Sequence, residues 1–194
     1  MLLLGVLQAQ AAGAGPVVDS DFDLLETQVL DSVETSVVFS SLAATYGADY
    51  QHLQIRATTR VTSATTLRMN RIRFNGDTTS NYSTHQLIGD SNAANPYAGA
   101  GVSLDGMLTF YGTGNSSTSG AFGAGVIDIL DPFETTKYTT HRSFGGQFSY
   151  SIVNLASGSW RNTDALTSIT IYPENSDSYA IGSRFSLYGV KGSA

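Results

Sequence analysis

The chain has 194 residues, the size of one domain or of one domain with an arm. With Cys 0 and His 3, disulfide scaffolds, thiolate zinc sites, iron–sulfur clusters and cysteine nucleophiles are excluded. A net charge of -6 argues against sequence-independent nucleic-acid binding, which needs a cationic surface, and 41% hydrophobic residues argue against disorder.

The first sixteen residues, from Met1 to Pro16, begin with Leu2, Leu3, Leu4, Val6 and Leu7 and continue through an Ala/Gly stretch. The apolar run stops at Leu7 and the first basic residue is Arg56, so the charged n-region and longer apolar core of a secretory leader are not met. No run approaches the ~18 apolar residues of a membrane-spanning helix. The favoured reading of residues 1–20 is a docking arm on a flexible tether, because exposed apolar side chains usually mark a partner. Residues 21–194 form the domain.

From there the chain reads as short strands separated by turns. Strands are expected at Phe22–Leu30, Ser36–Phe39, Tyr50–Thr58 and Thr66–Phe74. Tyr50–Thr58 alternates cleanly, with Leu53, Ile55 and Ala57 on one face and His52, Gln54 and Arg56 on the other, the period of a half-buried strand. Thr66–Phe74 alternates with mixed faces. Asn75-Gly76-Asp77 is a strong turn signal, since both central residues of such a turn adopt positive φ. A loop follows at Asp90–Gly101. Further strands are expected at Val102–Tyr111, with a bend at Asp105-Gly106, then at Phe122–Leu130, Tyr138–Phe144, Phe148–Val153, Leu166–Tyr172 and Arg184–Val190. Only Asp131–Thr136 suggests a helical turn. Even strand spacing without crossover helices predicts antiparallel sheets, and several long connections favour an all-β, jelly-roll-like sandwich. The expected core includes Leu53, Ile55, Phe74, Val126, Ile127, Ile129, Ile169, Ile171, Phe185 and Leu187.

No residue pattern identifies a reaction. His52, His85 and His141 lie outside any metal-ligand spacing and read as surface or hydrogen-bonded histidines. Asp128 and Asp131, and Glu174 and Asp177, are carboxylate pairs without a nucleophile motif beside them, and no cofactor is expected. Arg56, Arg68, Arg71 and Arg73 are clustered in sequence with Arg60. In an acidic chain, guanidinium groups serve to pair with carboxylates between strands and between subunits, which makes these four candidates for a subunit interface. Trp160, read as a loop residue beside Arg161 and Asn162, is the candidate glycan platform, with a core or interface anchor as its alternative.

Five stretches together span nearly the whole chain: LLLGVLQAQ at its start, LQIRATTR at Leu53–Arg60, RIRFNGDTTSNY at Arg71–Tyr82, VIDILD at Val126–Asp131 and RFSLYG at Arg184–Gly189. They resemble a family of tailed-bacteriophage virion proteins described as tail-fibre-like, decoration or minor structural proteins. The resemblance implies a non-enzymatic β-sandwich on the surface of a phage particle, attached to tail or capsid by its apolar N-terminus. It implies a homo-oligomer, with three copies favoured, and other virion proteins as partners. A carbohydrate-binding module that reads host-surface polysaccharide is the alternative, and a secreted lectin-like protein a further one. Neither nucleic acid nor membrane insertion is expected.

Overall fold

The computed structural model describes residues 21–90 and 99–192, with the backbone alone for 99–104. The expected docking residues Leu2, Leu3, Leu4, Val6 and Leu7 lie outside the described residues. The domain is an antiparallel β-sandwich. Its strands are β1 (Phe22–Val29), β2 (Val37–Phe39), β3 (His52–Thr59), β4 (Leu67–Phe74), β5 (Tyr82–Gly89), β6 (Gly99–Leu104), β7 (Met107–Thr113), β8 (Gly123–Leu130), β9 (Thr139–Gln147), β10 (Ile152–Trp160), β11 (Ile169–Pro173) and β12 (Arg184–Val190). One sheet has eight strands, in the order β1-β12-β3-β8-β9-β10-β5-β6, and the other has four, in the order β2-β11-β4-β7.

The jelly roll is visible once the hairpins β5–β6 and β9–β10 are set aside. The remaining strands pair first with last and inward from there: β1 with β12, β2 with β11, β3 with β8 and β4 with β7, all antiparallel. Such a folded ribbon, wrapped so that alternate pairs fall in opposite sheets, is the jelly-roll winding. The two added hairpins extend only the larger sheet, beyond β8.

Alternation builds the core between the sheets. Leu53, Ile55, Ile127, Ile129, Phe185 and Leu187 from the larger sheet meet Phe39, Ile72, Phe74, Ile169 and Ile171 from the smaller, all of them buried. Val126 is the exception among the expected core residues. It lies on the opposite face from Ile127 and is half-buried, because neighbours along a strand point to opposite sides.

Four other expectations are corrected. Val102–Tyr111 is not one bent strand: β6 belongs to the eight-stranded sheet and β7 to the four-stranded one, so Asp105-Gly106 is the crossing between sheets. Phe148–Tyr150 is a turn leading into β10, with Phe148 86% exposed. A strand absent from the sequence reading, β5, pairs with β10 along its whole length. The short helix α1 falls at Leu42–Tyr46, while 131–136 is irregular. The mixed faces of β4 have a cause: its register with β7 shifts between Met69 and Arg71. Asn75 and Gly76 do adopt positive φ, 50 and 65°.

Candidate interaction surface

Strand β9 is inverted in polarity. Its inward residues are Thr139, His141, Ser143 and Gln147, all buried, while Phe144 points outward and is 56% exposed. The reason lies across the sandwich. Strand β7 ends the smaller sheet, so one of its edges carries backbone groups that no strand pairs, and a buried orphan carbonyl is costly. Side chains of the larger sheet close that edge. His141 Nε2 bonds the Leu108 carbonyl at 3.0 Å, Ser143 Oγ donates to Thr109 O at 2.9 Å and Asn154 Nδ2 donates to the same oxygen at 2.7 Å. Burial pushes the His141 imidazole down to about 4, so at neutral pH the ring is uncharged, with its proton on Nε2. Behind it, Asn70 donates to Thr59 Oγ1 and Phe110 O and accepts from the Tyr179 hydroxyl at 2.9 Å. The Phe110 ring occupies the space above the facing pair Gly125 and Gly145, where a Cβ on Gly125 would lie 2.2 Å from it.

While Ile152, Ala156 and Trp160 of β10 point into the core, Phe144 of β9 and Leu155 of β10 face out. The register aligns them into a row. Arg56 on β3 faces Val126 on β8, Val126 faces Phe144 on β9, Phe144 faces Leu155 on β10 and Leu155 faces Leu87 on β5. Phe144, Leu155 and Leu87 are each about half exposed. One flank of this row is small: Ala124, Gly146, Val153 and Gly89 stand in register. The other is long and polar: Gln54, Asp128, Arg142, Ser157 and His85. Asp128 accepts from Gln54 Nε2 at 2.7 Å and Arg142 Nε at 3.0 Å, so this flank satisfies its own charge. Two shallow grooves of about 590 and 610 Å³ lie to either side of Phe144, and Val126 lines both. At the β1 end the apolar surface continues through Leu24 and Val29, both more than half exposed. Exposed apolar side chains are thus gathered on this one face of the sheet, the arrangement that interaction surfaces share.

The sequence cluster of arginines divides between the two sheets. Arg56 lies on the outer face of the eight-stranded sheet, its guanidinium 4.6 Å from the Tyr188 ring centre and 5.9 Å from that of Phe22. Arg68, Arg71 and Arg73 belong to β4 and pair within the chain, with carboxylates that lie between strands rather than on them: Arg68 with Asp177, Arg71 with Glu174 at 2.6 Å and Arg73 with Asp105 at 3.2 Å. Such partly exposed pairs contribute little each. Arg60 is buried and acts locally. Its guanidinium donates to the carbonyls of Asn115, Ser117, Thr118 and Ala121, which shapes the 114–121 loop.

Trp160 is not a loop residue. It ends β10, is 1% exposed and packs between Phe74 and Tyr82, so it offers no free ring face for a sugar and takes the core-anchor alternative. Arg161 and Asn162 follow it, with Arg161 donating to Ser80 O and Asn162 Nδ2 to Asp164 Oδ2. The indole N–H donates to Asp77. His52 accepts from the Asp131 backbone N–H at 3.0 Å, and Asp131 also pairs with Lys137. Among the described residues no group of three or more His, Asp and Glu is placed to hold a metal, and no helix is long and apolar enough to cross a membrane.

Comparison with protein-family models, with curated proteins and with solved structures gives no match for this chain. The sequence reading missed the row of Phe144, Leu155 and Leu87. Its signal was present in β9, where the aromatic Phe144 shares the parity of the polar Thr140 and Arg142.

Proposed function

We propose that this chain is a non-enzymatic structural component of a tailed-phage virion, a jelly-roll module that assembles with copies of itself on the particle surface and attaches to tail or capsid through its apolar N-terminal residues. The observation that carries this reading is the outward apolar row of the eight-stranded sheet. A lone monomer gains nothing from Phe144, Leu155 and Leu87 facing water, whereas an assembling subunit buries them. The sequence resemblance to virion proteins supplies the setting. Particle imaging tests it: gold-labelled antibody against the domain should decorate one defined place, head or tail, on purified particles. Label confined to unassembled material would overturn the reading.

A further inference from the structure

We infer that the outer face of the eight-stranded sheet is where two copies of this chain meet, turned about the line of the Val126–Phe144–Leu155–Leu87 row. This rests on the reading of the chain as an assembling component and names the surface it assembles through.

Three features favour a second copy as the occupant. The first is extent. The seven strands from β1 to β5, ~4.8 Å apart and about eight residues long, present roughly 900 Å² of plan area, against about 800 Å² per partner in a standard stable interface. The second is relief. The apolar row has small residues on one flank and long ones on the other. A half-turn about the row sets Phe144 against Phe144 of the second copy and lays Arg142 of each over Gly146 of the other, so that long side chains fall where the opposing sheet is low. A surface complementary to itself in this way makes an isologous contact. The third is charge. Asp128 already has Gln54 and Arg142 as partners, so covering the row from Val126 to Leu87 leaves no carboxylate stranded, the condition that makes a buried charge destabilising. Arg56, at the β3 end of the row and outside its apolar centre, keeps Gln54 Oε1 and the Tyr188 ring as partners. The arginines of β4 are engaged with Asp177, Glu174 and Asp105, and the contact does not need them.

An isologous contact closes with two copies, so it yields pairs and not the three copies that the sequence resemblance implies. The test is the solution mass of the full chain by sedimentation at micromolar concentration. The expected result is twice the 20.5 kDa chain mass, falling to the single-chain mass for Phe144→Glu with the melting temperature kept. Because the chain has Cys 0, an introduced cysteine is chemically unique. Leu155→Cys should form a covalent pair on mild oxidation and Thr170→Cys, on the other sheet, should not. This arm decides the matter if Phe144→Glu fails to fold. A wild-type monomer, an odd-numbered assembly, or a pair that survives Phe144→Glu and does not cross-link through position 155 overturns the inference. Any of these alongside normal particle labelling would leave the virion role intact and move the contact elsewhere.

Discussion

Trp160 donates its indole N–H to the Asp77 carboxylate across 2.8 Å, joining the end of β10 to the turn after β4. Burial works against the charged form of Asp77, but hydrogen bonds from the Thr79 side chain, Trp160, the Thr79 backbone and Asn81 outweigh it and hold the carboxyl well below the usual carboxylate range. Trp160→Phe keeps the ring and removes the donor. It should cost about 1.5–3 kcal/mol, the range for a hydrogen bond to a charged group, while Trp160→Ala should cost about 3–5 kcal/mol. Urea unfolding at neutral pH measures both.

Acid sensitivity should centre on His141. Burial holds it at about 4 in the folded chain, below the ordinary imidazole value of 6.5, so between these the unfolded chain binds the proton and the folded chain does not. Stability is therefore full above pH 6.5, falls as the pH drops toward 4 and levels off below it. The gap corresponds to about 3 kcal/mol. Asp77 adds a further loss at pH below the ordinary carboxylate range, since its folded value is depressed. His141→Gln, which retains a donor for Leu108 O, should flatten the dependence between pH 6.5 and 4. Denaturant midpoints across that range check the sign, and a wild-type midpoint that does not change would refute it.

Gly125→Ala should destabilise the domain by about 1–3 kcal/mol through overpacking, because the added carbon meets the Phe110 ring at 2.2 Å. Phe110→Leu in the same chain should recover part of that loss. A double-mutant cycle reads the coupling, and simple additivity would place the clash elsewhere.

Removing the Arg60 guanidinium should loosen one loop. Arg60→Met leaves the carbonyls of Asn115, Ser117, Thr118 and Ala121 without their shared donor, so amide exchange and proteolysis should accelerate at 115–121. Global stability should fall by about 1.5–3 kcal/mol. Unchanged exchange in that loop would show that its own turns hold it.

The residues Val126 and Ile129 of β8 separate what the sequence made legible from what it did not. Ile129→Ala should cost about 2–5 kcal/mol and Val126→Ala less than about 1 kcal/mol, since Ile129 is fully buried and Val126 lies on the outer face. Where alternation is clean, as in β3, the buried set Leu53, Ile55 and Ala57 was readable directly. In β9 the rule inverts, and in β10 it is interrupted at Asn154, because His141, Ser143 and Asn154 are turned inward to close the free edge of β7. That demand comes from the opposite sheet and has no local signature. The same holds for β5, whose Tyr82-Ser83-Thr84-His85 carries no clear apolar face, and for Trp160, whose partner Asp77 lies 83 residues away. The outward apolar row was missed for the same reason: Val126, Phe144, Leu155 and Leu87 become a row only through the pairing of four strands.

The proposed role of the chain as a virion component is tested most directly by counting it in particles. Quantitative mass spectrometry of density-banded virions should find the chain in multiple copies per particle, at a fixed ratio to the major capsid protein across preparations. Absence from the banded particles, or a ratio that falls with each round of purification, would contradict a structural role.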